Sequence, residues 1–167
     1  MMGFPMGNMR SRAFVIEPLV NADAIHLAKL HALTFGQPWN EDEFQALIGQ
    51  DTVFGFIARE EGNRAAPPGG FVLARLVVDE AEILTVAVAP VSQRRGLGHA
   101  LMDATLRHLH NARAEMLFLE VDEINTPALA LYRRLGFKQV GKRPGYYQTA
   151  DGRSAALTMR RDLKQVR

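Results

Sequence analysis

Cysteine is missing altogether from these 167 residues. Its absence rules out structural disulfides, thiolate metal sites and a cysteine nucleophile, so any thiol chemistry must arrive with a cofactor. Long hydrophobic runs are missing too. No stretch approaches the eighteen or more apolar residues of a membrane-spanning helix, and the most apolar one, ILTVAVAPV at 83–91, has the composition of a strand. Charge of one sign is scarce: the formal net charge is +2, and the basic residues are scattered apart from Arg94/Arg95, Arg133/Arg134 and Arg160/Arg161. Nucleic-acid binding calls for a dense basic stripe with interleaved aromatics, so none is expected. The five histidines, His26, His31, His99, His108 and His110, form no HExxH or comparable spacing. No metal site is therefore expected, and they read as surface or half-buried helix residues. The opening MMGFPMGNMR has no basic segment ahead of an apolar one and is interrupted by Gly3, Pro5 and Gly7. No secretory leader and no membrane association are expected, and a cytoplasmic location follows by default.

Hydrophobic residues make up 47% of the chain, enough for one sizeable core and, at this length, one domain. The expected organisation is a flexible segment at 1–11, a single domain at 12–163 and a short tail at 164–167. RAFVIEPL at 12–19 predicts a first strand ended by Pro18. Asn21 or Asp23 then caps a helix through about Leu33, with Ile25, Leu27, Ala28, Leu30 and Leu33 near helical spacing. Asn40, with Glu43 three residues on, predicts a capping box for a second short helix that Gly49 stops. Strands follow at 53–60, 70–77 and 82–89. A polar connection rich in Gly and Pro joins the first two, and a turn at Asp79 and Glu80 precedes the third, so antiparallel pairing is expected. From Leu97 the pattern changes to an amphipathic helix ending near Ala112, a strand MLFLEV at 116–121, a helix at about 126–135, a strand at 137–143, a loop over 145–152 and a last strand at 154–161. That alternation implies parallel crossovers, and the fold class is mixed α+β, a sheet flanked by helices.

The most specific local feature is VAVAPVSQRRGLGHALM, in which a strand runs through Pro90 into QRRGLG and straight on into the helix. The first turn of a helix presents unpaired N–H groups. Gly96 and Gly98 have no side chains to shield them, so several amides can face one anion with the helix's positive end behind them. Each charge–dipole contact contributes about 0.3–1 kcal/mol, which makes a pyrophosphate collecting several amides a better ligand than a single phosphate. Arg94 and Arg95 add charge around it. The lysine of a P-loop is absent, and the third glycine of a dinucleotide fingerprint is replaced by Leu101.

This arrangement resembles the GCN5-related N-acetyltransferase (GNAT) superfamily, whose Q/R-x-x-G-x-G/A loop cradles the pyrophosphate of acetyl-CoA. The resemblance implies a mixed, mainly antiparallel sheet whose strand at 83–89 diverges from a parallel strand at 116–121. Pantetheine lies in the gap, bonded to the backbones of Val86 and Val88. It also implies that Gln93, Arg94, Arg95, Gly96, Leu97, Gly98 and His99 contact the cofactor. The run LEVDEINTPALALYRRLGFKQVGKRPGYYQTADGR and the segment FGQPWNEDEF are similar to the ribosomal-protein-alanine N-acetyltransferases within that superfamily. On that likeness, which spans roughly 12–163, Glu120 is the general base, Tyr132 is the general acid facing the coenzyme sulfur, and Asn125 hydrogen-bonds the pantetheine region. The implied partner is a protein N-terminus, the alanine of a small-subunit ribosomal protein, acted on by a monomer. Alternatives are acetylation of lysine side chains or of a small-molecule amine, or a non-catalytic acyl-CoA-binding module. Two departures stand out: Gln148 follows Tyr146 and Tyr147 where the family often has proline, and the connection at 61–70 is long.

The chemistry is compatible with these residue types. A peptide α-amine, with a pKa of about 7.7–8, is roughly a tenth neutral at pH 7, whereas lysine near 10.4 is neutral about once in a few thousand molecules. Glu120, following MLFL, is expected at a strand end beside the cleft and partly desolvated, which would strengthen it as a base. Tyr132 is protonated at neutral pH and can donate to a departing thiolate. Backbone amides of the strand at 83–89 are candidates to polarise the thioester carbonyl. Trp39, Tyr146 and Tyr147, read as loop aromatics, are the candidates for holding an acceptor peptide. Trp39 reads equally well as a staple packing the short helix onto the sheet.

Overall fold

The structure, a computed structural model, describes residues 13–163; the expected N-terminal segment at 1–11 and tail at 164–167 lie outside them. Seven strands form one sheet in the order β1-β2-β3-β4-β5-β7-β6. They are β1 (Phe14–Pro18), β2 (Val53–Glu60), β3 (Gly70–Val77), β4 (Glu80–Val88), β5 (Met116–Asp122), β6 (Lys138–Thr149) and β7 (Gly152–Asp162). The helices are α1 (Ala24–Thr34), α2 (Glu41–Ile48), α3 (Leu97–Asn111) and α4 (Thr126–Arg134).

Local chemistry sets several boundaries. Asn40 caps α2 as expected: its side chain accepts from the Glu43 N–H at 2.9 Å, and Glu43 reaches back to the Asn40 N–H at 2.7 Å. At α1 the expectation needs correcting. Neither Asn21 nor Asp23 caps the helix through its side chain, since a 3₁₀ turn over Asn21–Asp23 leads into it. The buried Asp23 carboxylate instead accepts from the Val20 N–H at 2.9 Å and pairs with Arg59.

The sheet sorts its side chains into two cores. On one face Leu97, Leu101, Met102 and Leu109 of α3 and Leu129 of α4 pack on Leu117, Leu119, Val121, Leu157 and Met159. On the other, Leu27 and Leu30 of α1 and Phe44 of α2 pack on Ile57, Phe71, Leu73 and Ala87. Both sets recur every second residue along their strands, as pleating requires. β4 breaks the alternation. Its register with β3 runs Leu73↔Thr85 and then Ala74↔Ile83, so Leu84 is a bulge. Ala81 and Ile83 before the bulge and Val86 and Val88 after it therefore all face α3.

Two expectations of the second half change. Only β4 and β5 are parallel neighbours; α4 carries the chain from β5 to a parallel β6, but β7 inserts between them, antiparallel to both. Residues 145–152 are not a loop, because β6 and β7 make a long hairpin that turns after Thr149. The hairpin tolerates Pro144 and Gly145 because the register slips between Arg143 and Tyr147, where the ladder needs no N–H from proline.

Candidate active site

The ladder between β4 and β5 is short. Glu80, Ala81 and Glu82 pair with Met116, Leu117 and Phe118, and pairing then stops, leaving a wedge between 83–88 and 119–122. The Ala89 N–H donates to the Gly69 carbonyl at 2.8 Å, which makes Gly70 and Val88 a non-hydrogen-bonded pair. Val88, and by the two-residue period Val86, therefore turn their own N–H and C=O groups away from β3 and into the wedge. The Gln93 side-chain amide reaches that Val88 carbonyl at 3.5 Å.

The glycine loop closes the wide end of the wedge. A 3₁₀ turn over Pro90–Ser92 is followed by Arg94 and Gly96, both left-handed, at φ 63° and 76°. This succession points consecutive amides to one side. The first N–H to close inside α3 is Ala100, onto Gly96 at 3.0 Å, so the amides of Leu97, Gly98 and His99 have no intrahelical acceptor. Gly98 packs closely on α4, since a Cβ there would stand 3.2 Å from the Leu131 side chain and oblige it to shift by a few tenths of an ångström. The loop thus has the donors and the close backbone approach that a diphosphate needs. Arg94 is exposed, while the Arg95 guanidinium lies 5.2 Å over the Phe14 ring. Arg95 lines a cavity of about 1000 Å³ on the α1 side of the loop, with Lys29, Leu33, Pro67 and Val91.

Glu120 and Tyr132 approach the wedge from opposite faces. Leu119 and Val121 point into the α3 core, so Glu120 between them points to the other face, the one carrying α1 and α2. Tyr132 comes from α4, 6% exposed, with Phe137 edge-on at 5.7 Å. Burial first, and then neighbouring Tyr147, push its phenol up to about 12. The Glu120 side chain is 32% exposed and pairs with Arg143 at 3.2 Å; its place on the face of β5 away from α3 leaves part of the carboxylate in contact with solvent. Tyr147 links the two groups. It stands opposite Ser154 on the Glu120 face, half-buried, and its hydroxyl is pushed up by burial and then by the Glu120 charge. Asn125 caps α4 by accepting from the Ala128 N–H at 3.3 Å.

Of the aromatic candidates, Tyr146 and Tyr147 lie on β6 rather than in a loop, edge-to-face at 5.0 Å, with Arg143 5.5 Å over the Tyr146 ring. Trp39 sits in the connection between α1 and α2, half-buried against Phe44 at 5.6 Å, so it does staple α2. His31 is more deeply placed than the surface or half-buried helix position expected of the histidines: it is 3% exposed and stacks on Phe35 and Trp39. Neither Arg143 nor His31 carried a sequence signal, because the Glu120 partner of the first and the Thr85 partner of the second lie 23 and 54 residues away (143 − 120 and 85 − 31). Among the described residues no group of three His, Asp or Glu side chains could hold a metal ion, and no helix is long and apolar enough to cross a membrane.

Comparison with known proteins agrees with this geometry. Residues 24–137 match the acetyltransferase (GNAT) family. The chain is 38% identical to the [ribosomal protein bS18]-alanine N-acetyltransferase of Escherichia coli over 122 residues, 73% of this chain and 79% of that one. It is 36% identical to the N-alpha-acetyltransferase RimI of Mycobacterium tuberculosis over 149 residues, 88% and 91% of the two chains. The crystal structure of the ribosomal-protein-S18-alanine N-acetyltransferase from Escherichia coli superimposes with a TM-score of 0.84 at 30% identity, covering 92% of this chain and 96% of that one. With its wedge, its amide-lined loop and a match over most of its length, the chain belongs to the GNAT family and is an acetyl-CoA-dependent acetyltransferase.

Proposed function

We propose that the chain transfers acetyl from acetyl-CoA to the α-amine of a protein N-terminus, the N-terminal alanine of a ribosomal protein being the leading acceptor. The observation that carries this reading is the wedge itself: a gap in the sheet with a carboxylate on one face and a buried phenol on the other. A donor held along Val86 and Val88, its diphosphate on the amides of 96–99, would bring a thioester to that gap. Gln93, Arg94 and Arg95 belong to the same loop, and Asn125 stands at the start of α4, the helix that carries Tyr132.

Glu120 takes a proton from the attacking amine, directly or through one water, as the amine nitrogen bonds to the acetyl carbon. Exposure suits this role, because the acceptor enters from solvent on that face. Amides of β4 steady the developing oxyanion. As the carbon–sulfur bond breaks, Tyr132 gives its proton to the leaving sulfur. Its raised pKa keeps the phenol protonated until that moment. Trp39, Tyr146 and Tyr147 flank the acceptor. The names of the relatives support an N-terminal amine, and so does the larger neutral fraction of an α-amine at pH 7.

A panel of alanine-starting peptides, the same peptides blocked at the N-terminus but carrying internal lysines, and small polyamines, each incubated with acetyl-CoA and read by mass spectrometry, tests the reading. Acetylation of the free N-termini alone is expected. Preference for blocked lysine peptides or polyamines would overturn the acceptor, and no transfer to any amine would overturn the reaction.

A further inference from the structure

His31 is buried in α1, yet both its ring nitrogens are engaged, and by two different segments of the chain. Its Nδ1 accepts the Trp39 backbone N–H at 2.9 Å. A backbone N–H can only donate, so Nδ1 carries no proton and the neutral ring holds its proton on Nε2. Nε2 lies 3.2 Å from the Thr85 hydroxyl, to which it therefore donates. Thr85 is 7% exposed and follows the Leu84 bulge, where β4 leaves β5 and the wedge begins. The imidazole also stacks on Phe35 at 4.1 Å and on Trp39 at 5.0 Å, with Phe44 edge-on at 5.3 Å. One side chain thus joins the two ends of the connection at 35–40 to the strand bordering the wedge.

The side chains packed around the ring from α1, α2 and β3 are mostly apolar, Thr85 being the polar partner. Burying an imidazole is costly unless its polar atoms are satisfied, and here both are satisfied by groups whose positions matter to the site. We propose that His31 is a positioning residue for the acceptor: through Thr85 and Trp39 it locks the 35–40 connection to the diverging half of β4, presetting one wall of the acceptor groove. This rests on the reaction proposed above. Glu43 of α2 is the charged group that acts on the ring and favours its protonation; burial outweighs it and lowers the ring's pKa to about 4, so the bridge is intact at neutral pH.

The test uses Thr85→Val, which deletes only the hydroxyl, and His31→Phe, which keeps a stacked ring and removes both hydrogen bonds. Trp39 is the single tryptophan of the chain, so its emission reports the connection directly. Both variants are expected to show red-shifted emission, greater quenching by iodide and a raised KM for an alanine-starting peptide, roughly five- to tenfold for Thr85→Val, the scale of one lost hydrogen bond, and at least as much for His31→Phe, which loses two. The KM for acetyl-CoA and kcat are expected to stay within about twofold, since no donor contact is removed. Should His31→Phe fail to fold by circular dichroism, Thr85→Val decides alone. Unchanged Trp39 emission, an unchanged acceptor KM, or a KM for acetyl-CoA that rises as much as the acceptor's would overturn the role of His31. A wild-type chain that acetylates no α-amine would overturn the reaction reading, and this inference with it.

Discussion

The two ends of β4 are alike in backbone and opposite in circumstance. From Glu80 to Glu82 the strand is bonded on both edges, to β3 and to β5; beyond the Leu84 bulge it is bonded on one. Unpaired backbone inside a protein costs about as much as a lost hydrogen bond. A fold that leaves a row of such groups at a strand's end has therefore kept them for another partner. The bulge makes this possible twice over, by bending the strand from β5 and by restoring Val86 and Val88 to the face that Ala81 and Ile83 occupy.

The sharpest way to break that comparison is proline. At Ala87, whose N–H faces β3, proline removes a ladder hydrogen bond from a central strand and is expected to lower stability severely, seen as a large fall in Tm. At Val86, whose N–H faces the wedge, the sheet loses no ladder bond. That variant is expected to fold, by circular dichroism, while binding acetyl-CoA roughly five- to tenfold more weakly by calorimetry, as one hydrogen bond is lost. Equal damage at both positions would mean that the two edges of β4 are not distinct.

On the opposite bank, Glu120→Gln is expected to lower kcat by about 10²–10³ with acetyl-CoA affinity unchanged, because the role proposed for the carboxylate is to move a proton and not to hold the donor. Tyr132→Phe is expected to lower kcat by on the order of 10². The pH behaviour of Tyr132 has a definite sign. Its pKa rises on folding from 10 to about 12, so the folded state holds the proton more tightly; the resulting stability is whole below pH 10 and is lost as pH climbs toward 12. Thermal melts of wild type should lose more between those limits than melts of Tyr132→Phe. The smallest effect is expected at the loop: Gly96→Ala meets open space but a φ of 76°, which costs about 1–2 kcal/mol, visible as a lower Tm.

What could be foreseen from the residues was whatever is local. The Asn40–Glu43 box and the QRRGLG turn are each contained within a few residues, and each folds as its own chemistry dictates. The β6–β7 hairpin was hidden because Pro144, Gly145 and Gly152 punctuate a sequence as loop residues do, and only the register of β7 reveals the slip that accommodates them. The surroundings of Glu120 could not be read from the four apolar residues before it, because a strand sends neighbours to opposite faces, and its partner Arg143 comes from a strand further along the chain. The His31–Thr85 bridge joins α1 to β4 between residues 54 apart in sequence, and no periodicity marks it.

The place of β7 between β5 and β6 has a consequence for how the molecule comes into being. Two strands made earlier must wait, unjoined, for one made later, and the loops closed by the β5–β7 pairing are long, which slows folding. Glu120 lies on one waiting strand and Tyr147 on the other, so neither has its final surroundings until that insertion occurs. A chain cut short before Gly152 would keep its diphosphate loop and strand β4 but present β5 as a bare edge, prone to pair with other chains. The surroundings of Glu120 and Tyr147 thus depend on the last strand of the chain to be made.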